Sequence, residues 1–267
     1  MTTTADTVPS DPILYEVGNG VATITLNMPE RKNSLSDLLV NTLADTLDVA
    51  IADDAVRVVV LTNTGNTFCA GADLKADTPG VAAGEARRTF VDVFNQILDS
   101  PKPILGRIDG HATGGGVGLV AACDISVMRD DAKIGFTEVR IGVAPAVISV
   151  VCLPKMRRAD ASELFLTGER FTPARAAEVG LINAAVPPSE LDAALDHYRS
   201  MVVRGGPAAL AASKDLIRRV ADLDRDEAFA WTAVRSRALF QSDEAAEGIA
   251  AFRERRDAAW VPATDGD

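Results

Sequence analysis

The stretch Gly110-His111-Ala112-Thr113-Gly114-Gly115-Gly116-Val117-Gly118-Leu119, read with the Asp124-Ile125-Ser126-Val127-Met128 that follows, decides the fold. Residues 102–108 before it read as a strand, the glycines as a tight turn, and 116–122 as a short helix. About seven residues of helix precede the next strand, fewer than a parallel βαβ crossover needs. The same rhythm stands upstream, where a short apolar strand near 56–61 meets the Asn63/Gly65/Asn66 turn cluster and a helix over 84–99 follows. Paired short strands with helices of a few turns do not give the even alternation of a doubly wound sheet. They predict an α/β spiral of ββα turns.

Outward from that centre, ILYEVGNG and VATITLN read as a hairpin turned at Gly18-Asn19-Gly20. Pro29-Glu30-Arg31-Lys32-Asn33 is a loop, and Ser36 is the N-cap of a helix over 37–52, with Leu38, Leu39, Leu43, Leu47 and Ile51 at helical spacing. From about 159 the chain reads as Ala-rich helix to its end, punctuated by Pro173, Pro187, Pro188 and Pro207. The expected organisation is a disordered tail over 1–11, an α/β core over 12–200 and a helical C-terminal lobe over 201–267.

The 267 residues are 47% hydrophobic and 24% charged, the composition of an ordinary globular chain. With 27 Lys and Arg against 38 Asp and Glu, the formal charge of −11 argues against nucleic acid as a partner. Any anionic ligand must be held by local donors. No apolar run approaches the ~18–20 residues of a membrane span, and the first residues lack a secretory signal pattern, so a cytoplasmic protein is expected. Cys69, Cys123 and Cys152 are too few and scattered for a disulfide scaffold or a metal site.

Three stretches can carry chemistry. Phe68-Cys69-Ala70-Gly71-Ala72-Asp73-Leu74-Lys75 follows a strand with four small residues in a row, which lets a backbone approach a ligand. It also suits a plain strand-to-helix turn capped by Asp73. Cys69 lacks a neighbouring base, which weighs against a nucleophile. The 110–119 stretch offers free amides and a positive helix end to an oxyanion or phosphate. Gly116-x-Gly118-x-x-Ala121 matches a permissive dinucleotide fingerprint but lacks its βαβ context, and no GxxxxGK[ST] exists. His111 reads as a packing or hydrogen-bonding residue. In Lys133-Ile134-Gly135-Phe136-Thr137-Glu138-Val139-Arg140-Ile141-Gly142, Glu138 is either a proton-transfer group in a dry pocket or an ion-pair partner of Arg140 or Lys133.

Together these stretches resemble the enoyl-CoA hydratase/isomerase (crotonase) family. The likeness runs from about Val21 to Phe252 and includes 26–35, 68–74, the 114–116 glycines, 122–125, 138–142, 166–170, 180–183 and 247–252 in order. It implies a crotonase-like ββα spiral whose helical lobe trimerises, as a homotrimer or a dimer of trimers. It implies a coenzyme A thioester as substrate and no cofactor beyond the CoA of that substrate. It assigns the amides of Ala72 and Gly115 to an oxyanion hole and Glu138 to acid/base work. The 30–33 loop, with Arg31 and Lys32, and residues Ala70, Gly71, Asp73 and Leu74 are implied to hold the CoA moiety, with Gly114, Gly118 and Thr137 completing the substrate site. The side chains of Arg31 and Lys32 read equally well as solvated.

The sequence departs from the pattern at Gly118, where hydratases of the family usually carry a second glutamate. One carboxylate suffices to move a proton between two carbons, as in the family's Δ3,Δ2-enoyl-CoA isomerases, or can serve as base and then acid in a hydratase. A small residue at 118 can also make room for a bulky or carboxylated acyl chain. Ala146-Val147-Ile148-Ser149 is similar to branched-chain members such as methylglutaconyl-CoA hydratase-like proteins. Hydratase is the leading expectation, isomerase stands close behind, and a silent acyl-CoA binder is the rival from another class. A mobile loop is expected over 76–88, beside the acyl pocket.

Overall fold

The computed structural model describes residues 11–74 and 88–262. All of the expected tail but Asp11, and all of the expected loop at 76–88 but Arg88, lie outside the described residues. Strands β1 (Ile13–Gly18) and β2 (Val21–Leu26) form the antiparallel hairpin. Asn19 and Gly20 take φ of 50° and 74°, the left-handed pair whose twist matches a two-residue hairpin. Ser36 Oγ accepts from the Leu39 amide and starts helix α1 (Asp37–Ala52). That helix buries Leu39, Leu43 and Leu47 but leaves Leu38 exposed, because the inward stripe runs through Val40, Ala44 and Ala50 instead.

Three ββα turns follow. They are β3 (Val58–Asn63), β4 (Thr67–Cys69) and α2 (Phe90–Asp99); β5 (Ile104–Ile108), β6 (His111–Thr113) and α3 (Gly115–Ala122); and β7 (Ile125–Arg129), β8 (Ile134–Gly135) and α4 (Ala146–Cys152). In each turn the first strand joins a six-stranded sheet, ordered β1-β2-β3-β5-β7 and closed at its far edge by a later strand over Ala184–Val186, and the second joins a three-stranded sheet, ordered β4-β6-β8. Apart from the β1–β2 hairpin the pairings between these strands are parallel. This is the α/β spiral that the short strands predict. Helix α2 begins at Phe90 behind a capping box of Thr89 and Asp92, later than the expected 84.

Beyond α5 (Arg158–Thr167) and α6 (Pro173–Glu178), the expected proline-punctuated run of helices is interrupted by strand β9 (Ala184–Val186). Alanines hide this strand from propensity; it forms because Asn183 exchanges two bonds with Ser126, its amide donating to the Ser126 carbonyl and its Oδ1 accepting from the Ser126 amide. Helices α7 (Leu191–Val202), α8 (Pro207–Arg219), α9 (Arg225–Phe240) and α10 (Asp243–Glu254) complete the chain. Among the described residues no helix is long and apolar enough to cross a membrane.

The ends of α1, α2 and α3 carry no basic residue of their own. Each is met by a lysine from a later segment. Lys102 Nζ donates to the Ala50 and Asp53 carbonyls, Lys214 Nζ to that of Ile97, and Lys155 Nζ to that of Cys123. These cations satisfy terminal carbonyls and meet the negative end of each helix dipole.

Helix α3 sits backbone-to-backbone on β4. A β-carbon on Gly116 would lie 2.1 Å from the Cys69 carbonyl oxygen, so only glycine allows this approach. Gly116→Ala therefore tests the packing. The ~1 kcal/mol that alanine gains in helix propensity is expected to be outweighed, with a net loss of about 1–3 kcal/mol or more from overpacking against backbone. Urea denaturation measures it; an unchanged or raised midpoint contradicts the packing.

Candidate active site

The close approach that Gly116 permits extends to the neighbouring turns. Gly71 and Gly114 have φ of 84° and 54°. A β-carbon on Gly71 would lie 2.8 Å from the Thr113 carbonyl and 2.9 Å from the Gly115 amide nitrogen. Leu35 donates its amide to the Gly71 carbonyl at 2.8 Å, and Thr113 Oγ1 donates to the Ala70 carbonyl at 3.1 Å, fixing the two turns side by side. The amides of Ala72 and Gly115 have no acceptor among the described residues. They are neighbours, since a β-carbon on Gly115 would be 3.9 Å from the Ala72 nitrogen. Gly115 opens α3, so the helix end adds positive potential there.

Both residues line a cavity of about 590 Å³. Glu138 stands on the same wall, at the start of a 3-10 turn over Glu138–Ile141. Its Oε1 lies 3.4 Å from where a β-carbon on Gly114 would be, and its Oε2 is buried with no hydrogen-bond partner. Among the described residues no ion pair reaches Glu138 from Arg140, Lys133 or any other cation, so the expected alternative of an ion-pair partner is not seen. Burial pushes the carboxyl above the usual glutamate range, against a weaker pull from its own backbone amide.

The rest of the wall is apolar, built by Leu35, Leu74, Phe90 and the 141–148 segment. Of the other expected site residues, Ala70, Leu74, Gly114 and Thr137 line the cavity, and Gly71 is buried behind it. Arg31 and Asp73 lie off the wall and pair at 2.6 Å, pinning the 28–35 loop to the strap after β4. Lys32 is exposed, in a left-handed conformation with φ of 54°.

Gly118 does not line the cavity. A β-carbon there would lie 2.6 Å from both Ile148 Cγ2 and Phe94 Cζ, so the room expected at this position is already filled from the opposing helices. The Cys69 thiol is fully buried and pushed up to about 12, which removes it as a nucleophile. His111 accepts the Lys133 amide at Nδ1 over 2.9 Å, a structural bond.

Sequence reasoning missed the buried role of Asn33 and the place of Phe90 on the wall, and it noted Ile148 only as part of the 146–149 stretch. Asn33 is buried and left-handed; its Oδ1 accepts from the Met28 amide while Nδ2 donates to the Thr64 and Thr67 carbonyls. A turn-forming Asn beside a strand end was the available signal for this one.

The fold and this cavity define a crotonase-type α/β protein, and comparison with known proteins agrees. A family model described as Enoyl-CoA hydratase/isomerase matches residues 16–262. The (E)-benzylidenesuccinyl-CoA hydratase of Thauera aromatica is 31% identical over 250 residues, covering 92% of this chain and 97% of that protein. Enoyl-CoA hydratase EchA19 of Mycobacterium tuberculosis is 32% identical over 257 residues, covering 94% and 97%. The crystal structure of an enoyl-CoA hydratase from Mycobacterium smegmatis superposes with a TM-score of 0.86 at 31% identity, covering 94% of this chain and 99% of that one. The chain belongs to the enoyl-CoA hydratase/isomerase family.

The raised carboxyl of Glu138 has two consequences. A reaction that needs it ionised loses rate as pH falls through a value above the ordinary ~4.3, and a kcat/KM profile reads this acid limb. The folded state also holds this proton more tightly than the unfolded chain, so stability falls as pH rises from the unfolded to the folded value. Glu138→Gln is therefore expected to melt at the same temperature as the parent or higher at neutral pH. A clear drop in Tm contradicts the desolvated carboxylate.

Proposed function

We propose that the protein hydrates the double bond of a 2-enoyl-CoA thioester. The observation that carries this reading is the buried, unpartnered Oε2 of Glu138 on the same cavity as the amides of Ala72 and Gly115, which have no acceptor among the described residues. In the reaction the thioester oxygen accepts from the two amides. Glu138 takes a proton from water as the water oxygen bonds to C3, and negative charge gathers on the thioester oxygen as an enolate. Collapse of the enolate returns the proton from Glu138 to C2, so one water is added and the carboxylate is regenerated. Each such amide donor is worth about 2.7–4 kcal/mol in the transition state. The reaction needs no cofactor beyond the CoA of the substrate. The hydratase names of the Thauera and Mycobacterium relatives support this choice.

The filled space at Gly118 favours a second reading, Δ3,Δ2-enoyl-CoA isomerisation. There Glu138 alone removes the C2 proton and returns it at C4 through a dienolate. The 30–33 loop and the 70–74 strap are proposed to hold the CoA moiety, with Arg31 keeping its Asp73 partner. A trimer through the C-terminal helices, single or stacked in pairs, is supported by exposed apolar side chains such as Ile217, Phe240 and Phe252.

Mass spectrometry of straight and branched enoyl-CoA esters incubated in heavy water tests the reaction. A product heavier by one heavy water supports hydration, a shifted double bond without added water supports isomerisation, and no change with any ester supports a binder without turnover. Glu138→Gln is expected to lower turnover about 100-fold or more while binding of the ester survives; unchanged turnover refutes its role.

A further inference from the structure

Gly118 stands three residues after Gly115 on α3, one helical turn along the same face. If the Gly115 amide holds the thioester oxygen, as proposed above, the wall beside residue 118 lies level with C2 and C3 of the acyl group. That wall is Ile148, in the first turn of α4. Ile148 lines the cavity, and its Cγ2 is 2.6 Å from where a β-carbon on Gly118 would be. Behind it Phe94 Cζ is equally close to that point, and Phe94 packs edge-on against Phe90 of the cavity wall at a centroid distance of 5.9 Å. Ile148 and Phe94 are only 3% exposed, so the stack has little freedom to retreat.

We infer that Ile148, braced by Phe94 over the bare backbone of Gly118, is a specificity-determining residue that sets the largest substituent the site accepts beside the reacting carbons. Shortening Ile148 opens space next to C2 and C3 and leaves the path of a straight chain untouched. The inference rests on the assignment of the thioester oxygen to the two amides, but its test does not rest on turnover.

Calorimetric binding of saturated thioesters, which can be neither hydrated nor isomerised, reads the cavity alone. The probes are butanoyl-CoA, 3-methylbutanoyl-CoA and 3-ethylpentanoyl-CoA, with octanoyl-CoA as the straight-chain control. Each additional methylene accommodated is worth about fourfold in affinity. Ile148→Ala is expected to raise the affinity for 3-ethylpentanoyl-CoA relative to butanoyl-CoA roughly tenfold or more, with the octanoyl-to-butanoyl ratio unchanged. Ile148→Val, a milder change that keeps the fold if the alanine variant does not, is expected to shift the same ratio about fourfold or less in the same direction. Unchanged branched-to-straight ratios overturn the inference, as does an equal gain for octanoyl-CoA, which puts Ile148 at the chain end. Absent turnover of enoyl esters by a parent that still binds these probes counts against the proposed reaction alone.

Discussion

The carbonyl oxygen of Cys69 occupies the place where residue 116 would carry its β-carbon, and the site is built around that contact. Because α3 touches β4 with no side chain between, the turns after β4 and β6 meet backbone to backbone. The same closeness recurs at Gly71, whose missing side chain leaves room for the Thr113 carbonyl and the Gly115 amide. Two amides from different ββα turns become neighbours, and the start of α3 adds its dipole to one of them. In the reaction proposed for them, such donors need no reorganisation as charge develops, because the sheets on either side hold them still. Glu138 reaches the same cavity from the third ββα turn, with burial supplying its elevated proton affinity and no cation among the described residues paired with it.

Much of this was legible in the sequence, for reasons that are local. Ser36 with its leucine-spaced helix, the Asn19-Gly20 hairpin turn and the short interval between the 114–116 glycines and Asp124 each follow from backbone conformation or periodicity. Glu138 stood out because an acid among apolar and glycine residues has few uses. What was not legible depends on partners distant in sequence. Strand β9 exists because Asn183 finds Ser126, and alanine spacing says nothing of that. Gly118 read as the place of a missing carboxylate or, alternatively, as room for a bulky acyl chain, yet the volume a glycine leaves belongs to whichever neighbours arrive, here Phe94 and Ile148. Arg31 read equally well as a holder of the CoA moiety or as a solvated side chain, and nothing local signals that its guanidinium pairs with the buried Asp73. Leu38 shows the same limit in miniature, since periodicity finds the stripe but not its edge.

The lysines that end the three core helices carry a consequence for how the chain is made. Lys214 lies 117 residues beyond the Ile97 carbonyl it meets, and it also pairs with Asp124 at 2.7 Å. During synthesis from the N-terminus, α2 and the strand after α3 leave the ribosome long before α8 exists to complete them. Until then Asp124 lacks its cation and the end of α2 lacks its donor. The spiral core and the helical region after it are thus coupled in time as well as in space, and a nascent chain halted before Lys214 lacks contacts that the finished core contains.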